Sequence, residues 1–114
     1  MAYTTAMFTA SRDAPLAELS TRGEVLAELE ELRALVLEVC PDCLYQRRPD
    51  GAGIFVPPQR QHETRDKNLL TVWAGAGARM RIMPDKEEKY DRSKLATYRE
   101  RLARLYSELV DGND

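Results

Sequence analysis

Between Leu69 and Met83 the chain reads Leu-Leu-Thr-Val-Trp-Ala-Gly-Ala-Gly-Ala-Arg-Met-Arg-Ile-Met, a pattern that few folds can accommodate. Leu70, Val72, Met80 and Ile82 alternate with Thr71, Trp73, Arg79 and Arg81. That is the period of two strands that bury one face and present the other. The Gly-rich segment between them supplies the turn. One face of this hairpin belongs to a core. The other carries a tryptophan and two arginines, and nowhere else does the sequence set charge and aromatic surface side by side.

The rest of the chain supports or covers that hairpin. At 114 residues it has the size of one domain, able to bury roughly two thirds of the surface its unfolded form exposes. Its 43% hydrophobic and 32% charged residues lie near the globular norm and argue against a disordered or fibrous chain. No apolar run approaches the roughly 18 residues of a membrane span, so no membrane partner is expected. The first residues lack the basic start and apolar middle of a secretory leader, and two cysteines are too few for a disulfide framework. A cytoplasmic, reducing setting is therefore expected.

Charge is segregated along the chain in a way the net value of −2 conceals. Residues 1–44 carry three basic side chains against eight acidic ones, residues 45–81 seven against three, and residues 82–114 seven against eight. The first helix is thus acidic and the strand region basic.

Taken in order, residues 1–12 form a weakly patterned tail, residues 13–110 one domain and residues 111–114 a polar tail. Asp13-Ala14-Pro15 starts a short helical turn through Leu19. Thr21 with Glu24 has the spacing of a capping box, which predicts a main helix from about Arg22 to Val39. Val25, Leu29, Leu32, Val36 and Val39 make its apolar stripe, and Glu28, Glu30, Glu31 and Glu38 its polar face. Pro41 ends it. Leu44–Arg47 and Gly53–Val56 read as strands around the turn Arg48-Pro49-Asp50-Gly51. Pro57-Pro58 then opens a polar stretch, Gln59 to Asn68, long for a compact domain and therefore a candidate for function. After the central hairpin, Asp85–Tyr90 reads as a charged connector, and Asp91 or Ser93 caps a last helix from about Arg92 to Val110. Leu95, Tyr98, Leu102, Leu105 and Leu109 give that helix a stripe at intervals of three and four. The order predicts a two-layer α+β domain: a four-stranded, mostly antiparallel sheet of two hairpins, with both helices on one face and the other face open to water or a ligand.

Candidate chemistry is thin. Cys40-Pro41-Asp42-Cys43 has the spacing of a redox pair or half a zinc site. It follows a helix rather than opening one, so no helix N-terminus lowers a thiol pKa. A zinc site lacks its other ligands, and no metal or cofactor is expected; two structural thiols are the simpler reading. His62, the single histidine, lies in the polar loop with no partner legible for acid or base work. Gly75-Ala76-Gly77 lacks the lysine and the following helix of a phosphate loop and is read as a turn. No catalytic residue is assigned.

What remains is a basic and aromatic surface: Trp73, Arg79, Arg81 and Thr71 on the hairpin, Arg47 and Phe55 from the first hairpin, and Arg60, His62 and Arg65 from the loop. The expectation is a non-catalytic binding module that meets a protein partner, or a second copy of itself, through this face. The same surface could bind single-stranded nucleic acid, with cations on phosphates and rings stacked on bases. The chain's overall acidity weakens attraction to a polyanion and favours the protein partner. An enzyme or thiol switch using His62 with Cys40 and Cys43 ranks third.

Overall fold

The computed structural model describes Leu19, residues 22–62 and residues 67–111. The expected N-terminal tail, residues 112–114 of the expected C-terminal tail, the Asp13–Leu19 turn apart from Leu19 itself, and Arg65 lie outside those residues, while Asp111, expected in the tail, is helical. Helix α1 spans Gly23–Val39. Its start differs from the capping-box expectation: the residue before it, Arg22, makes no side-chain cap, and Glu24 pairs with Arg22 at 3.0 Å instead. Thr21 is outside the described residues. Val25, Leu29, Leu32, Leu35 and Val36 are all buried, and burying each such side chain contributes roughly 1.5–3 kcal/mol.

Five strands follow in a simple meander, ordered β1-β2-β3-β4-β5. They are β1 (Leu44–Arg47), β2 (Gly53–Val56), β3 (Leu70–Ala74), β4 (Ala78–Arg81) and β5 (Glu88–Lys89). The two hairpins stand where the alternation placed them, joined antiparallel through β2 and β3. The fifth strand is a correction, since the supposed connector at Asp85–Tyr90 pairs with β4. Two charged residues carry no alternation that could announce a strand.

The β1–β2 turn closes as its residues dictate. Gly51 N–H donates to Arg48 O, Arg48 N–H to Ala52 O, and Ala52 N–H to the Asp50 carboxylate. Gly51 takes φ +94°, a conformation glycine adopts without steric cost. In the polar stretch a 3-10 turn occupies Pro58–Arg60. Another, at Arg92–Lys94, leads into helix α2, Leu95–Asp111, with the Asp91 carboxylate accepting from Ser93 N–H at 3.0 Å.

α1 lies against β3 and β4, and α2 lies beside α1, so both helices cover one side of the sheet. Register decides which strand residues meet them. Val72 stands opposite Met80, and Phe55 opposite both Leu70 and Tyr45; these are the helix-side rows, and they join α1 and Tyr98 and Leu102 of α2 in one core. Phe55 and Arg47 therefore belong to the helix side, not to the face of Trp73 as expected. The apolar run Gly53-Ile54-Phe55-Val56 cannot reveal its own facing, because periodicity is silent where every residue is apolar.

The far side is not uniformly open either. Ile54, Val56 and Thr71 point away from the helices, yet each has zero exposure, and the Thr71 hydroxyl donates to Asn68 Oδ1 at 3.0 Å. Thr71 consequently offers nothing to a partner. β2 is buried on both faces along its whole length.

Gly53 is the tightest point of that strand. A Cβ there would lie 2.6 Å from both Cε1 and the phenol oxygen of Tyr45, a side chain 1% exposed whose ring is 5.1 Å from that of Phe55. The ring has nowhere to swing. Gly53→Ala should cost about 1–3 kcal/mol, the usual penalty of overpacking; a urea midpoint equal to the parent's would contradict this packing.

Candidate binding surface

Over β3, β4 and β5 the far side carries an open strip. Trp73 stands directly across from Arg79, and Arg79 directly across from Lys89. With strands about 4.8 Å apart, the three side chains form a row roughly 10 Å long. Thr71 and Arg81 make the next row, of which only Arg81 reaches outward. Trp73 and Arg81 are half-buried; Arg79 and Lys89 are exposed.

The cations in the strip are not equivalent. Arg79 donates to the Glu87 carboxylate. Lys89 has no ion-pair partner among the described residues, and Arg81 Nε is buried without an acceptor. Nε itself is enclosed, but the terminal nitrogens of Arg81 are not, so a ligand carboxylate or phosphate would meet the guanidinium there through charge-assisted hydrogen bonds.

The acids of α1 do not neutralise these cations, because they are engaged elsewhere. The Glu31 carboxylate accepts from Tyr90 Oη at 2.6 Å and from Arg92 Nε and Nη2 at 2.8 Å each. Glu38 pairs with Arg99 at 2.8 Å and Glu30 with Arg33 at 3.0 Å. Glu28 accepts the backbone N–H of Ala78 at 3.1 Å. Hydrogen bonds from Arg92 and Tyr90 hold the Glu31 carboxyl below its ordinary value of 4.5. Burial and the bond to Glu31 push the Tyr90 phenol up.

The remaining expected site residues scatter. Arg47 is exposed at the sheet edge, on the other side from Trp73. Arg60 turns inward, its Nε donating to Leu109 O at 2.9 Å, where it satisfies a carbonyl in the last turn of α2. His62 is exposed. Lys89, which sequence reasoning missed, belongs to the strip because β5 was not legible.

Cys40 and Cys43 are both buried, free thiols. Cys40 Sγ donates to Asp42 Oδ1 at 3.3 Å, and Cys43 Sγ to Val56 O at 3.5 Å. The hydrogen bond with Cys40, then burial, raises the Cys43 pKa far above the thiol range, keeping it protonated. Burial, reinforced by the nearby Cys40 and Asp42, also raises the Tyr106 phenol. Among the described residues no group of three histidine, cysteine, aspartate or glutamate side chains could hold a metal ion, and no described helix is long and apolar enough to cross a membrane. Comparison with known protein families, with curated proteins and with solved structures finds no match to this chain.

Two measurements check this geometry. The lowered Glu31 pKa means its stabilising contribution is complete above its unfolded pKa and lost as pH falls through the folded one. Glu31→Gln should thus be less stable at neutral pH and lose less on acidification from about pH 5 to 3. Parallel stability curves for parent and variant would contradict the Glu31 node. Both thiols should react with Ellman's reagent slowly in the native protein and fast in urea; rapid native reaction of either would reopen the redox reading.

Proposed function

We propose that this protein is a small binding module that recognises a protein partner through the strip formed by Trp73, Arg79, Arg81 and Lys89. The observation that carries the reading is the buried, unaccepted Nε of Arg81 beside a half-buried tryptophan. Tryptophan and arginine in partly desolvated surroundings are the side chains that dominate interface energetics. The partner chemistry that fits is an acidic side chain next to an apolar one, the carboxylate taken by Arg81 and the apolar group by the Trp73 ring. Lys89 and Arg79 steer such a segment from solution. The loop contributes less than its length suggests, because Arg60 is committed to α2. Nucleic acid fits less well: the strip offers one ring, and the chain is acidic overall.

Trp73 is the only tryptophan, so its fluorescence reports directly on the site. The test titrates the protein with a ten-residue peptide alternating glutamate and leucine, and separately with a dT10 oligonucleotide, at low and moderate salt. The peptide should change Trp73 emission saturably, and Arg81→Ala should weaken it about tenfold or more without lowering thermal stability. The triple change Trp73→Ala, Arg79→Ala, Arg81→Ala should abolish binding of a labelled peptide. Peptide binding that ignores Arg81→Ala would overturn the site. Tighter binding of dT10 with a steep salt dependence would replace the partner class with nucleic acid.

A further inference from the structure

β5 is the outermost strand of the sheet on the side of the strip. Tyr90 N–H donates to Ala78 O at 3.0 Å, and Glu88 stands opposite Met80. By the alternation of an antiparallel ladder, Glu88 and Tyr90 direct their backbone groups inward to β4. Glu87 and Lys89 direct theirs outward, along an edge of unpaired donors and acceptors. The side chains of these two residues lie on the far side of the sheet, where Arg79 stands across from Lys89 and pairs with Glu87. A cleft of about 620 Å³ bordered by Glu28, Lys89 and Lys94 flanks this edge and leaves it accessible.

A lysine on a two-residue edge strand ordinarily guards against pairing with arbitrary strands. Here the sequence around it is complementary to itself. We infer that β5 is a self-association edge, at which two copies of the chain pair antiparallel about a twofold axis at Glu88. In that register Glu87 faces the partner's Lys89 and Lys89 faces the partner's Glu87, and the outward N–H and C=O groups of both residues are satisfied across the axis. Opposite charges directly across a strand pair are favourable, whereas moving the axis one residue back, to Glu87, would set two Glu87 carboxylates against each other. The two Glu88 side chains meet at the axis on the helix side, each held by its own Arg101 at 3.3 Å, so neither carboxylate is bare. The interface is isologous, as a closed dimer requires. It joins two five-stranded sheets into one and sets the two strips on a common face. Pairing of so short an edge falls below the roughly 1,200–2,000 Å² of stable complexes, so the dimer is weak and dependent on concentration.

Sedimentation velocity over roughly 10 µM to 1 mM tests this. The parent should shift from monomer to dimer within that range. Glu87→Lys and Lys89→Glu should each raise the dissociation constant about tenfold or more, and the double exchange should recover the parent value. Lys89→Pro removes only an outward N–H, which an edge strand tolerates, and should abolish the dimer while circular dichroism stays unchanged. A protein monomeric throughout the range would overturn the inference. So would a dimer indifferent to all four variants, or single variants that weaken without recovery in the double.

Discussion

The Glu31 carboxylate ties α1 to the junction between β5 and α2. It leaves α1 two turns in and receives Tyr90 from the end of β5 and Arg92 from the turn that starts α2. Three donors on one carboxylate fix where the last helix begins, and the bond from Asp91 N–H to Tyr98 Oη at 3.1 Å then fixes how it leaves the sheet. Glu38 with Arg99, further along both helices, continues the same seam. Each of these exposed pairs is worth little alone. Their consequence is electrostatic: Glu31 and Glu38 of the acidic α1 are paired with Arg92 and Arg99, not with Arg79, Arg81 or Lys89.

That partition acts together with an asymmetry in the sheet. β2 is buried on both faces, Ile54 and Val56 on the far side included. The basic and aromatic strip lies on three strands, and its composition follows from two strand registers that align Trp73, Arg79 and Lys89. Tyr45 over Gly53 locks the other end of the sheet on the helix side.

Most of the architecture was legible because the chain states it locally. Alternation marked β3 and β4, turn residues marked both hairpins, and apolar stripes marked both helices. What stayed hidden had no local signature. Glu88-Lys89 forms a strand only because β4 offers it an edge. The facing of Phe55 and Arg47 depends on a register set by Leu70, and Arg60 turns inward because α2 ends beside it. Thr71 looked solvent-facing by alternation, but burial reflects what lies over a residue, which its neighbours in sequence do not report. The candidate surface was accordingly half visible: Trp73, Arg79 and Arg81 from the pattern, Lys89 from the fold alone.

The central claim is that Arg81, whose Nε is enclosed without an internal acceptor, presents its terminal guanidinium nitrogens to a ligand. Nitrogen-15 NMR of the arginine guanidinium groups addresses it most directly. Arg81 Nε–H should exchange slowly with water in the free protein and show no coupling across a hydrogen bond to a protein carboxylate, and the Arg81 Nη groups should gain such a coupling when the acidic peptide is added. A hydrogen bond from Arg81 Nε to a carboxylate of the same chain before any ligand is present would contradict the account.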